Sequence, residues 1–180
     1  MRIVGGKWAD RSLVSPGGRV RPTAEALRSG VMEMVGDELT GARVLDLFAG
    51  TGALGLEALS RGARYCDFVE NGPAALHSLK ANVAALRVRE KSRIYDRDAI
   101  PFVERLTADR YDITFADPPY GSRKLDRVVR YWQHVPFTTL LVLEHAPDHE
   151  GIPNGTRRRF GDSVVTILRA RKRPAKASDS

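Results

Sequence analysis

Val44-Leu45-Asp46-Leu47-Phe48-Ala49-Gly50-Thr51-Gly52-Ala53-Leu54-Gly55 reads as a strand, a glycine loop and the start of a helix. The apolar run of β-branched and aliphatic residues suits a buried strand. Gly50 and Gly52 allow a tight turn, and the helix formers from Ala53 to about Ser60 are closed by Gly62. Reading outward, the same alternation recurs. Upstream, Thr23 is placed to cap a helix over residues 24–35, with Leu27, Val31, Met34 and Val35 on its apolar face. Downstream come a strand at 65–69, a helix at 73–86 with Pro73 in its first turn, a short strand at 93–95 and a short helix at 101–106. A strand at 111–116, a helix at 122–134 and an apolar strand at 139–144 follow. Segments 157–160 and 163–168, joined by Gly161-Asp162, read as an antiparallel hairpin. Repeated β-α-β units predict an α/β fold with a mostly parallel seven-stranded sheet and helices on both faces, ending in that hairpin. In such sheets ligands bind beyond the carboxyl ends of the strands.

The chain has 180 residues and a net charge of +7. The excess positive charge lies at its ends: residues 1–22 carry a net +4 and residues 157–180 a net +6, against −3 between them. Basic ends on a mildly acidic body point to phosphate-bearing partners, or to solvated tails. Residues 1–22, with Gly5-Gly6 and Pro16-Gly17-Gly18, read as a mobile β-hairpin arm; residues 23–170 form one domain, and the polar stretch 171–180 is expected to be disordered. No apolar stretch approaches the roughly 20 residues needed to span a bilayer, and a signal peptide is not evident, which predicts a cytoplasmic protein. Cys66 alone cannot form an internal disulfide and reads as a packing residue. His77, His134, His145 and His149 show no metal-ligand spacing, and no metal is expected.

Two chemistries compete for the glycine loop. Gly50-Thr51-Gly52-Ala53-Leu54-Gly55 is a literal G-x-G-x-x-G between a strand and a helix, and Glu70 follows Gly50 by twenty residues, as in a dinucleotide site. A nicotinamide-dependent oxidoreductase is therefore open. Asp46, however, puts a carboxylate beside the pocket a pyrophosphate would fill, and it suits a ligand bearing an ammonium and a sulfonium, such as S-adenosylmethionine. Glu70 can accept from ribose hydroxyls in either case. Asp98, followed by Ala99, can accept from an adenine amine or cap the next helix. Asp117-Pro118-Pro119-Tyr120 follows the strand at 111–116, and two prolines stiffen that corner. A carboxylate and an aromatic ring held at a sheet rim suit a nucleobase with an exocyclic amine, although Pro-Pro after a strand is also an ordinary loop.

With these residues in this order the chain resembles class I S-adenosylmethionine-dependent methyltransferases. Arg2-Ile3-Val4-Gly5-Gly6 followed by Arg21-Pro22-Thr23 is similar to the RsmD family of 16S rRNA guanine-N2 methyltransferases, over essentially residues 1–170. The resemblance implies a Rossmann-like methyltransferase fold and methylation of a guanine N2 amine in 16S rRNA during small-subunit assembly. S-adenosylmethionine would be the methyl donor and S-adenosylhomocysteine the product. It implies catalytic roles for Asp117, Pro118, Pro119 and Tyr120. It places the donor at Asp46, Phe48, Gly50, Thr51 and Gly52, with Glu70, Asn71, Asp98 and Ala99 completing the site. Arg2, Lys7, Arg11, Arg19 and Arg21 would contact RNA, with Trp8 packing or stacking, in a monomer that uses no membrane. The helix after Arg-Pro-Thr departs from the family in offering only Arg28 as a further base. An adenine-N6 methyltransferase shares every core residue, and a ribosome-associated protein without catalysis also remains open.

Overall fold

Alternation along β1 (Arg43–Leu47) puts Val44 and Asp46 on one face of the sheet and Leu45 and Leu47 on the other. All but Arg43 are buried, as expected of a central strand covered on both sides. The computed structural model describes residues 1–16, 22–119 and 121–170. The remaining strands are β2 (Tyr65–Glu70), β3 (Ser92–Asp96), β4 (Tyr111–Ala116), β5 (Thr138–His145), β6 (Thr156–Phe160) and β7 (Ser163–Arg169), in the sheet order β3-β2-β1-β4-β5-β7-β6. β1 to β5 are parallel, and β7 pairs antiparallel with both β5 and β6. The chain winds from β1 toward β3 and then returns to β4 on the other side. The β1–β4 boundary is therefore the switch point where a crevice opens above the carboxyl ends.

Helices α1 (Pro22–Val35), α2 (Ala53–Ser60) and α3 (Pro73–Ala85) cover one face, packing Val31, Leu56 and Leu79 on Val44, Phe68 and Phe115. Helices α4 (Ala99–Val103) and α5 (Lys124–His134) cover the other, where Ile100, Val128 and Trp132 meet Leu45, Leu141 and Leu143. Gly55 makes the first packing possible: a Cβ there would lie 2.5 Å from Cys66 Sγ and from Phe68 Cε1. Cys66 is fully buried, and burial pushes its thiol pKa up.

Three helix starts differ from the sequence reading: α5 begins at Lys124 rather than 122, and the other two have a local cause. α1 begins at Pro22, so Thr23 lies inside the first turn rather than at the cap; proline suits that position because its missing N–H has no partner there. α4 spans 99–103 rather than 101–106, because the Asp98 side chain accepts from Ile100 N–H at 2.9 Å and starts the helix earlier. Pro101 then falls in the first turn, where no intrahelical bond is lost.

The expected hairpin arm is present over residues 1–16 as a segment doubled back around a 3-10 turn (Gly6–Trp8) and joined by a single antiparallel bridge, Arg2–Ser12. It is docked rather than mobile. Ile3 and Leu13 are buried in the same core as α1 and α2, and Trp8 packs against it. Fully buried Glu57 on α2 accepts from Val4 N–H and Gly5 N–H, both at 2.8 Å, and from Arg61 Nε at 3.0 Å. Ser60 Oγ donates to Gly5 O and accepts from Trp8 N–H. Asn82 on α3 joins the far end of the arm to the glycine loop. Its Oδ1 accepts from Val14 N–H, and its Nδ2 donates to Val14 O and to Thr51 O.

Candidate active site

Register decides which side chains meet at the switch point. β1 pairs with β4 as Asp46 with Phe115 and Leu47 with Ala116, and β4 pairs with β5 as Ala116 with Leu143. Counting by twos along each strand, Asp46, Asp117 and Glu144 project to the face covered by α1 and α2, at the carboxyl ends of three adjacent strands. They line one cavity of about 270 Å³ together with Phe48, Gly50 and Thr51 of the glycine loop and Leu27 and Arg28 of α1. Three carboxylates in one concave site favour a ligand carrying positive charge.

The glycine loop is held by carboxylates as well. Glu70 Oε2 accepts from Gly50 N–H at 2.8 Å, while its Oε1 accepts from Asn71 N–H and Gly72 N–H. Asp46 Oδ2 accepts from Gly55 N–H in the first turn of α2 at 2.9 Å. The amides that a pyrophosphate would need are thus already engaged by anions, which disfavours a dinucleotide. Gly52 takes φ +79° at the helix entry, and Phe48 takes φ +59°, a conformation uncommon outside glycine. That turn aims the half-buried Phe48 ring along the cavity wall, with Lys124 Nζ 5.6 Å from its centroid. Phe48 lines the site and also packs against the core beneath α4 and α5.

Burial pushes the Asp46 carboxyl up to about 8, against the hydrogen bond from Gly55 and reinforced by the charges of Asp117 and Glu70. The folded protein therefore keeps a proton that the unfolded chain loses above about pH 4, so stability falls as pH rises from about 4 to about 8. Asp46→Asn keeps an acceptor for Gly55 and removes the charge. We expect it to raise ligand-free stability by on the order of 2–5 kcal/mol at pH 8 and by little at pH 4. Urea midpoints followed across pH test this; an identical pH profile in parent and variant would contradict it. Asp117 is raised to about 7 by the protein around it and by the neighbouring Glu144 charge, although one side of the residue stays open to solvent.

The other expected site residues are placed around this centre. Gly52 caps α2, and Glu70 reaches the cavity through Gly50. Asn71 is exposed, Asp98 caps α4, and Ala99 is buried in the α4–α5 core; none of the three lines the cavity. Pro118 and Pro119 border a small adjoining hollow with Glu144 and His145. Tyr120, Arg19 and Arg21 lie outside the described residues, as does the 171–180 tail. Arg2 is paired with Asp10 at 2.7 Å and Glu25 at 3.2 Å, so its charge is partly neutralised. Lys7 and Arg11 are exposed, with Lys7 Nζ 5.7 Å from the Trp8 ring centroid. His145 is structural, its Nε2 2.8 Å from Thr166 Oγ1. Among the described residues, no group of His, Cys, Asp or Glu is arranged to hold a metal, and no helix is long and apolar enough to cross a membrane.

Sequence reasoning did not find Glu144 or a site role for Arg28. Glu144 could have been found by carrying the alternation of β5 to its end; Arg28 depends on how α1 crosses the sheet, which no local pattern encodes.

The family model described as "Conserved hypothetical protein 95" matches residues 1–167. YlbH of Bacillus subtilis (strain 168), an rRNA methyltransferase by inference, is 33% identical over 172 residues, covering 92% of this chain and 91% of its own. Ribosomal RNA small subunit methyltransferase D of Escherichia coli (strain K12) is 35% identical over 132 residues, a match covering 72% of this chain and 65% of that protein. The solved structure of yhhF from Escherichia coli, a methyltransferase by inference, superimposes with a TM-score of 0.81 at 28% identity, covering 93% of this chain and 96% of its own. With a Rossmann-like sheet that brings three carboxylates and a glycine loop to its switch point, and matched over residues 1–167 by the family model and almost end to end by YlbH, this chain belongs to the RsmD family of methyltransferases.

Proposed function

We propose that this protein methylates the N2 amine of a guanine in 16S rRNA, acting as a cytoplasmic monomer on the small ribosomal subunit or an assembly intermediate. The observation that carries this reading is the convergence of Asp46, Asp117 and Glu144 on one cavity beside the glycine loop. S-adenosylmethionine fits the donor set: its ammonium and sulfonium meet carboxylates, whereas a pyrophosphate would meet occupied amides. When bound, it supplies an electrophilic methyl group on a cationic sulfur.

The protein's own part is positioning and charge. Asp46 holds the cationic end, and the cation in turn lowers the Asp46 pKa, so binding releases a proton below about pH 8. The Glu70 carboxylate, anchored by three amides, fixes the loop and can still accept from a ribose hydroxyl. Asn71, Asp98 and Ala99 would close the adenosine end. Asp117 and the Pro118 carbonyl accept from the two hydrogens of the guanine amine, which localises its lone pair toward the methyl carbon. The donor would supply the methyl group to the amine nitrogen and leave as S-adenosylhomocysteine, and Asp117 or water would take the amine proton. Holding both reactants in line can contribute roughly 7–11 kcal/mol of barrier reduction. The target base must first leave its stack. Tyr120 would stack on it, and Lys7, Arg11, Arg19 and Arg21 would contact phosphates.

Transfer of labelled methyl groups to free 16S rRNA and to assembled small subunits, followed by mapping of the modified base, tests the reading. N2-methylguanine is the expected product, with RNA binding that weakens steeply as salt rises. N6-methyladenine instead would replace the substrate assignment, and binding of NADH without binding of S-adenosylhomocysteine would replace the chemistry.

A further inference from the structure

Arg28 lies on α1 above the carboxyl ends of the strands, only 5% exposed, and lines the cavity with Asp46, Asp117 and Glu144. Its Nη2 donates to Arg2 O at 3.0 Å. Its Nε is enclosed and has no partner among the described residues. The nearby acids are committed elsewhere: Glu57 accepts from Val4, Gly5 and Arg61, and Glu25 from Arg2. A buried guanidinium with a bare Nε is costly unless something else completes it. Burial pushes its pKa down, but an arginine stays charged in a protein. The cavity therefore offers three carboxyl groups, which a bound cation would help to ionise, and one incomplete cation. A plain cation would match the first and leave the second unpaired. A zwitterion would match both.

We propose that Arg28 receives the α-carboxylate of the amino-acid end of the bound nucleoside on the edge of its guanidinium that faces the cavity, while the ammonium of the same end faces the carboxylates. The fork geometry of arginine suits a carboxylate in this way. The assignment rests on the methyl-donor reading above and names the one anionic group of that ligand. Because Nη2 of the same side chain holds Arg2 O, it also places the ligand one residue's reach from the arm.

Calorimetric titration of the full chain with S-adenosylhomocysteine and with its decarboxylated analogue, which keeps the ammonium, tests it. The parent should bind the analogue about 10–100-fold more weakly. In Arg28→Gln, affinity for S-adenosylhomocysteine should fall to that for the analogue, whose own affinity should barely move. Arg28→Lys, which keeps the charge but not the fork, should retain only part of the discrimination and serves in place of the Gln variant if that one does not fold. Equal affinity of the parent for both ligands would overturn the assignment, as would undiminished discrimination in either variant. Failure of the parent to bind either ligand would instead bring down the methyl-donor reading.

Discussion

Asp117→Ala is expected to lower kcat for methyl transfer by about 10²–10⁴-fold while leaving S-adenosylhomocysteine affinity within a few-fold of the parent. Asp117 sits where β4 ends and its side chain shares a cavity with Asp46 and Glu144. On the proposed mechanism alanine removes the acceptor facing the amine and the local sink for its proton, but it touches neither the glycine loop nor the Glu70 bonds that hold it. Asp117→Asn separates the two roles, because it can accept a hydrogen bond and cannot take a proton. A mildly impaired Asn variant would mean that orientation dominates; loss as deep as in the alanine variant would mean that the ionised carboxylate is needed. In the parent, the protein packed around one side of Asp117 and the Glu144 charge hold it near 7, so activity should rise as pH climbs through neutrality and the carboxylate ionises. Neither substitution should destabilise the fold, since each relieves repulsion from Glu144. Full methylation by Asp117→Ala in single-turnover assays would remove Asp117 from the chemistry.

Glu57→Ala should destabilise the protein by about 3–5 kcal/mol, the largest effect on stability expected of any single polar substitution here. Its carboxylate is fully buried and receives two backbone N–H groups of the arm and the Arg61 guanidinium. Alanine leaves those amides and a cation facing a void, and no neighbouring acid is free to replace the lost one. The arm should loosen as a result, so hydrogen exchange at Val4 and Gly5 should accelerate far more than exchange in β1. Urea unfolding gives the first quantity and exchange mass spectrometry the second. A loss below about 1 kcal/mol would mean that the arm is held by Ile3, Leu13 and its bonds to Ser60 and Asn82 rather than by Glu57.

Much of the sheet was legible because local patterns agreed with tertiary need. α2 runs from Ala53 to Ser60 as its composition predicts, and the parallel strands follow their apolar runs. The carboxylates Asp46, Glu70 and Asp117 were legible because strand ends place them where ligands bind. What escaped the sequence was long-range. Arg28 enters the cavity only because α1 crosses the switch point, and Glu144 only because β5 lies beside β4 in the observed register. The arm misled for the same reason. Gly5-Gly6 and the charges nearby suggest a free hairpin, while its anchors Glu57, Ser60 and Asn82 lie more than fifty residues away. Of the two readings of Asp98 the structure shows the cap, whose bond engages a single oxygen and leaves the other for the proposed adenine contact.

Asn82 ties Val14 of the arm and Thr51 of the glycine loop to a single buried amide. Segments joined in that way cannot be inherited separately. A lineage that traded its arm for another would lose the two contacts of that amide with Val14 and disturb the loop proposed to hold the nucleoside. If the proposed RNA contacts hold, changes of target are expected at exposed side chains such as Lys7 and Arg11, replaced one at a time on a frame that stays fixed.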